Sequence, residues 1–274
     1  MRTAVEHVMG TAVSIAAPDS ADPDAFDAAC AAAFAVLHAA DDLFSPFKPD
    51  SPVSRLRDGR LSFEHIGDAL PPDQAALLRD VLALCAELRA ASDGAFDAFA
   101  VGDPPGFDPS GAVKGWAAER ARAALAAAGL PAHLLNAGGD VCARGGRDGA
   151  GAPWRVGIAD PHRPGNTLAV FEVADGAVAT SGTAERGAHV RDPRTGQPAT
   201  ALASVTVAGP RLELADGYAT AALAMGGAHG AAEARGWLAW LAAEHGYEAL
   251  TVDAQQGVWW TDGARRHAPD LPKL

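Results

Sequence analysis

The sequence predicts an α+β fold, and three observations carry that reading. Long alanine- and leucine-rich helical stretches dominate the first half of the chain. Short β-branched runs, broken by Gly, Asp and Pro turns, fill much of the second. The two kinds do not alternate regularly, which favours largely antiparallel sheets mixed with helices over a doubly wound parallel sheet. No internal repeat, low-complexity linker or composition break divides the 274 residues, so one compact unit over 1–274 is expected.

The elements follow in order. VEHVMGTAVSIAA alternates and is β-branched enough to be one strand. Pro23 to Leu43 reads as a helix opened by Asp22-Pro23. FSPFKPDSPVSRLRDG is a turn-rich connection around a short helical piece. Pro71 to Ser92 is the clearest helix, with Leu77, Leu78, Val81, Leu82, Leu84, Cys85 and Leu88 forming a core-facing stripe. A long loop, GAFDAFAVGDPPGFDPSGAV, leads to a helix expected from Gly115 to Gly129. Strands are expected in HLLNAGGDVCARG, PWRVGIADP, TLAVFEVADGAVATSG, GAHVRDP and ALASVTVAG, with GRDGAGAP as a surface loop. Helices from Leu214 to Met225 and from Gly230 to His245 come next, and EALTVDA and GVWWTD close the chain as strands. The last helix carries Trp237, Leu238, Trp240 and Leu241; they read as core, or as a partner surface if the tryptophans face solvent.

Composition narrows the function. Apolar residues make up 49 % and charged residues 20 %, as in a folded globular chain. The net charge of −12 lacks the basic footprint of a nucleic-acid binder. An anionic ligand would need local help from backbone N–H groups, a metal or a few placed cations. Only Lys48, Lys114 and Lys273 are lysines, so a lysine inside a glycine-rich loop stands out. Cys30, Cys85 and Cys142 are scattered, without Cys-x-x-Cys spacing, and suggest neither a disulfide frame nor a zinc site. No apolar run approaches 18 residues, and the first residues lack the build of a signal segment; the expected location is cytoplasmic, without a membrane span.

Four segments could carry chemistry. FDPSGAVKGWAAERA holds a lysine between glycines but departs from a P-loop, in which the lysine follows the glycine and a hydroxyl follows the lysine. NAGGDV ends a strand in a Gly-Gly turn before a carboxylate. TSGTAERGAHVRDPRTGQP packs hydroxyls, Arg186, His189, Arg191, Asp192 and Arg194 into one loop. LADGYATAALAMG sets Asp216 and Thr220 four apart, on one face of a helix. Such a carboxylate and hydroxyl are hard donors of the kind Mg²⁺ takes. The same spacing is met by an Asp216 that caps the helix and a Thr220 that bonds back to a carbonyl, and spacing alone does not separate the two.

Together these segments resemble the ApbE family of flavin transferases. FDPSGAVKGWAAERA is similar to its D-x-x-G-x-x-K-G-x-x-x-D/E-R element, LLNAGGDV to its N-x-G-G-D/N turn, and VATSGTAERGAHVRDPRTGQP to its S-G and H-x-x-D-P-x-T-G-x-P. LADGYATAALAMG matches A-D-x-x-A-T-A-x-x-x-x-G, and VMGTAVSI, DDLFSPFKPDSPVSRL and DGAFD match front segments in the family's order. The resemblance implies an α+β fold related to the tunnelling fold. It implies an Mg²⁺-dependent enzyme that cleaves FAD and transfers FMN to a threonine of an acceptor protein with release of AMP.

The resemblance also assigns residues. Asp216 and Thr220 would be metal ligands, with a backbone carbonyl near Gly111. Met9, Phe47, Ala95, Phe96, Asp97, Asp108, Lys114 and Val190 would contact the flavin nucleotide. His189 would handle the proton or contact the diphosphate, its ordinary pKa lying near operating pH; a structural histidine bonding across the loop is the other reading. The run after Ser181-Gly182 lacks the family's aromatic residue, and the loop from Asp97 to Asp108 lacks its tryptophan-bearing segment. An FAD pyrophosphatase using water as nucleophile, or a protein that holds FAD intact, would share most of these features.

Overall fold

The computed structural model describes residues 1–102, 105–183, 190–227 and 230–271. The chain opens with strands β1 (Arg2–Val8) and β2 (Thr11–Ala17) and helix α1 (Pro23–Phe44). Helices α2 (Pro52–Arg57), α3 (Ile66–Ala69), α4 (Pro72–Ala91) and α5 (Ser110–Ala127) follow. Then come β3 (His133–Ala137), β4 (Asp140–Arg144), β5 (Trp154–Ala159), β6 (Thr167–Val173), β7 (Gly176–Gly182) and β8 (Leu202–Gly209). Helices α6 (Leu212–Met225) and α7 (Gly230–His245) precede β9 (Glu248–Asp253) and β10 (Val258–Trp260).

Eight strands form one antiparallel sheet in the order β1-β2-β3-β4-β7-β8-β9-β10, and β5 and β6 pair separately as a hairpin. Alternation of side chains divides the interior into two cores. On one face Cys142, Ala177, Ala179, Val205, Val207 and Ala249 join the helices. On the other Val141, Ala143, Val178, Ala208, Leu250 and Val252 meet Trp154, Val156, Phe171 and Val173 of the β5–β6 hairpin. Because both faces are covered, β4 and β8 read as near-continuous apolar runs rather than as alternating ones. The α+β expectation is met.

Local chemistry sets most helix starts. Pro23, Pro52 and Pro72 each occupy the first helical turn, where a missing N–H costs nothing. Asp22 Oδ1 accepts from the Ala25 N–H at 2.9 Å and Ser51 Oγ from the Ser54 N–H at 3.0 Å. The α4 stripe turns inward as expected, and Cys30, Cys85 and Cys142 are buried free thiols. Burial pushes the Cys30 thiol up to about 11 and the Cys85 thiol up to about 12, so both stay protonated and inert at neutral pH.

Three expectations are corrected. VEHVMGTAVSIAA is two strands, not one: Val8 pairs with Thr11 across a two-residue turn at Met9-Gly10. Both turn residues have positive φ (55° and 71°), the backbone twist that suits a tight hairpin. The helix expected from Gly115 begins five residues earlier, at Ser110, where Asp108 Oδ1 accepts the Ser110 N–H at 2.9 Å. Asp216 lies inside α6 rather than at its start, so it does not cap that helix. GAHVRDP falls partly outside the described residues; its described end contributes a lone bridge between Arg191 and Pro198. On α7, Trp237 donates its indole N–H to the Ala91 carbonyl at 2.9 Å, whereas Trp240 is 44 % exposed against His245. Among the described residues, no helix is long and apolar enough to cross a membrane.

One buried titratable group predicts an acid response. His133 is fully buried, with Nδ1 donating to the Leu130 carbonyl at 2.7 Å and Nε2 lacking a hydrogen bond. Desolvation holds its pKa below the ordinary 6.5. Between the folded and unfolded values the unfolded chain binds more protons, so stability is complete above 6.5 and falls as pH drops through it. Thermal melts are expected to show a lower Tm at pH 5.5 than at pH 7.5, with a smaller loss in His133→Leu. An equal loss in that variant would assign the effect elsewhere, His267 being the next candidate because burial lowers it too.

Candidate functional site

The site lies where α5 crosses α6. Gly111 and Gly115 are one turn apart on α5, and Asp216 and Thr220 one turn apart on α6. A Cβ on Gly115 would lie 2.9 Å from Asp216 Cβ and 2.9 Å from the Leu212 carbonyl oxygen. A Cβ on Gly111 would lie 3.6 Å from Thr220 Cγ2 and 3.2 Å from Phe96 Cε2. The crossing is therefore antiparallel, and its closeness requires small residues on α5. Glu119, one turn further along α5, accepts the Leu212 N–H at 3.0 Å through Oε2 and so fixes the N-terminus of α6.

That closeness puts charges together. The Gly115 N–H donates to Asp216 Oδ2 at 2.9 Å, and Lys114 Nζ lies 3.5 Å from Asp216 Oδ1. The same ammonium forms an ion pair with Asp140 Oδ2. Asp140 Oδ1 accepts the Thr180 N–H at 2.9 Å, which ties the start of β4 to β7. Both carboxylates are buried, Asp140 at 1 % and Asp216 at 3 % exposure. Burial of charge on this scale is tolerated only where partners are supplied, as Lys114 supplies them here. Thr220 Oγ1 lies 3.1 Å from Ser181 Oγ, so the Ser-Gly end of β7 reaches the same cluster. Thr180 Oγ1 bonds Thr206 Oγ1 at 2.9 Å and anchors β7 to β8 beneath it.

The structure thus brings Gly111, Lys114, Asp216, Thr220 and Phe96 of the expected set into one neighbourhood. Ala95 and Phe96 are buried in a turn held by Ser92, whose Oγ accepts the Phe96 N–H at 2.9 Å. Asp97 Oδ2 accepts from Arg89 Nε at 2.9 Å, and Asp108 faces Arg57 Nη1 at 3.8 Å. Met9 holds its turn with a half-buried side chain packed on the helix-side core, and Val190 packs there as well. Phe47 is 92 % exposed on the loop after α1. His189 and Arg186 lie outside the described residues. The residue after Lys114-Gly115, Trp116, turns away from the cluster: its indole N–H donates to Asp80 Oδ2 at 3.0 Å and its ring meets Phe44 edge-on.

Elsewhere Gly94 approaches Arg194, and a depression of about 320 Å³ opens between Arg89, Asp93, Asp97, Pro193 and Arg194. Arg194 grips the buried Asp192 through Nε and Nη2, each at 2.9 Å, and reaches Glu233 at 2.7 Å. The Asp-Pro-Arg-Thr loop is therefore held as a rigid wall.

Sequence reasoning left Asp140, Ser181, Gly115 and Glu119 out of the residue set. Each sat inside a noted motif, so the signal was present. What single-chain spacing could not supply was the pairing across elements: Asp140 with Lys114, Ser181 with Thr220, Glu119 with the start of α6.

An antiparallel sheet flanked by helices, with a lysine and two buried carboxylates at a glycine-lined crossing, defines an α+β protein. The family model described as "ApbE family" matches residues 9–103 and 102–244, and the chain belongs to that family. It is 35 % identical over 129 residues to the FAD:protein FMN transferase of Klebsiella pneumoniae (strain 342), covering 43 % of this chain and 37 % of that protein. It is 38 % identical over 137 residues to the protein of the same name from Treponema pallidum (strain Nichols), covering 44 % of this chain and 38 % of that one. The matched stretches thus span under two fifths of these curated relatives. The crystal structure of the ApbE protein from Thermotoga maritima shares the fold, with a TM-score of 0.77 and 21 % identity over 97 % of this chain and 98 % of that one. The flavin transferase ApbE from Vibrio cholerae does so as well, with a TM-score of 0.72 and 20 % identity over 97 % and 99 %.

Proposed function

We propose that this chain is an FAD:protein FMN transferase dependent on Mg²⁺. It would cleave the diphosphate of FAD, attach FMN through a phosphoester to a threonine of an acceptor protein and release AMP. The observation that carries this reading is the convergence of Lys114, Asp216 and Thr220 at the α5–α6 crossing, in a chain of this family.

The donor set suits magnesium. Asp216 Oδ2 takes the Gly115 N–H, Oδ1 faces Lys114 Nζ at 3.5 Å, and the Thr220 hydroxyl stands one turn away. Among the described residues no group of three or more His, Cys, Asp or Glu gathers. One carboxylate with hydroxyl and carbonyl oxygens is what Mg²⁺ accepts when substrate phosphates and waters complete its shell, and is not a zinc site. Asp216, Thr220 and the Gly111 carbonyl would hold it; a carbonyl keeps a second lone pair even within a helix. The bound ion would supply charge neutralisation at the diphosphate.

The chain's own groups would do the rest. Lys114 would meet the diphosphate oxygens and offset charge that grows as the threonine oxygen forms its bond to the FMN phosphorus. As that bond forms, the bond from phosphorus to the AMP oxygen breaks, and AMP departs with the electron pair. The threonine proton needs an acceptor, the role the family resemblance gives to His189. Asp97, Asp108, Ala95, Phe96, Met9, Phe47 and Val190 would line the nucleotide.

The test is incubation of the protein with FAD, with and without Mg²⁺, following AMP and FMN by chromatography and a threonine-bearing acceptor peptide by mass. AMP formed only with Mg²⁺, together with the mass of FMN on the peptide, supports the reading. AMP with free FMN and an unmodified peptide replaces transfer by hydrolysis. Intact FAD under every condition overturns catalysis altogether.

A further inference from the structure

Lys114 stands between two buried carboxylates, and on Asp216 it faces the oxygen other than the one that takes the Gly115 N–H. Asp216 Oδ2 already accepts the Gly115 N–H at 2.9 Å, which leaves Oδ1 the more open oxygen for a cation. That same Oδ1 faces Lys114 Nζ at 3.5 Å. The ammonium is nearer to Asp140 Oδ2, and Asp140 is itself fixed by the Thr180 N–H at 2.9 Å. We propose that Lys114 and a divalent cation compete for Asp216 Oδ1, and that Asp140 is the positioning residue that draws the ammonium aside and so sets the metal affinity. The proposal rests on the metal assignment above but not on the reaction.

Formal charge shows why such a device is useful. One ammonium against two carboxylates leaves the cluster at −1, and a bound dication brings it to +1, suited to a diphosphate. Were Lys114 drawn onto Asp216 instead, the cation would meet an oxygen already neutralised, at a cost that low-dielectric surroundings enlarge. Asp140 prevents this by offering the ammonium a closer partner.

The experiment is Mn²⁺ binding to the full chain without flavin, read by the EPR signal of the free ion. Lys114→Met is expected to bind Mn²⁺ about tenfold more tightly than the parent, and Asp140→Asn about tenfold more weakly, the scale of coupling between neighbouring charges. In the double variant the Asp140→Asn effect should largely vanish, because its action runs through the lysine. An undiminished effect there would show that Asp140 acts on the ion directly and overturn the proposal. So would unchanged or weaker binding in Lys114→Met. Should that variant fail to fold, Lys114→Gln, which keeps a donor for Asp140, is expected to give the same sign. Absence of Mn²⁺ binding in the parent overturns the metal assignment and this inference together. Normal binding with inert FAD overturns the reaction alone.

Discussion

Replacing Asp216 by alanine is expected to lower Mg²⁺-dependent FAD turnover by about a thousandfold or more, while leaving circular dichroism and cooperative melting close to those of the parent. The activity loss follows from the position of Asp216. It is the one carboxylate of the proposed ligand set, and removing it takes away the charge that holds the ion against the diphosphate, an effect worth several kcal/mol of transition-state stabilisation. The fold should survive although the residue is only 3 % exposed. Breaking a buried ion pair is costly when it strands a charge, but here Lys114 retains Asp140 as its partner. Asp216→Asn separates charge from shape. It keeps an oxygen for the Gly115 N–H yet removes the negative charge, so it should be nearly as inactive as the alanine variant. Full turnover in a folded Asp216→Ala protein would remove the metal assignment.

The second large effect comes from a single methyl group. Gly115→Ala would place a Cβ 2.9 Å from Asp216 Cβ, 2.9 Å from the Leu212 carbonyl oxygen and 3.0 Å from Glu213 Cα. Two of these three atoms are backbone on α6 and cannot rotate away, so the helices must separate. Alanine's better helix propensity returns about 1 kcal/mol, and overpacking of this kind costs about 1–3 kcal/mol. A net loss of up to about 2 kcal/mol is expected in denaturant unfolding. Because the same movement carries Asp216 away from Lys114, turnover should fall about a hundredfold, the cost of a misplacement near 1 Å. The internal control is Gly236→Ala on the exposed side of α7, where a new Cβ meets nothing within 4 Å. That variant should gain up to about 1 kcal/mol and keep full activity. Equal behaviour of the two variants would mean that the α5–α6 approach is not what holds the site.

Much of the fold was legible in the residues because it is written in local chemistry. Asp22-Pro23 and Ser51-Pro52 announce helix starts through a side-chain cap and a missing N–H. The leucine stripe of α4 repeats at the helical period and buries where that period says it must. Met9-Gly10 was not legible as a turn, because methionine seldom takes positive φ and the apolar alternation continues through it. The start of α5 was missed for the opposite reason. Gly111 weakens the local helical signal, and only its approach to Thr220 of α6 and to Phe96 explains why it is there.

The candidate site divides in the same way. The motifs around Lys114, Asp140, Ser181 and Asp216 stand in the sequence, and the i, i+4 spacing of Asp216 and Thr220 places them on one helix face without any structure. Whether Asp216 capped a helix or faced a ligand remained open, since either use satisfies that spacing. The tertiary structure removed the cap by starting α6 at Leu212, and it turned Oδ2 to a backbone N–H of another helix. Likewise the sequence determined that one rare lysine sits among glycines, but not that Asp140 and Asp216 converge on it from 26 and 102 positions away. Such pairings depend on how sheet and helices pack, and packing joins residues whose separation along the chain carries no periodic signal.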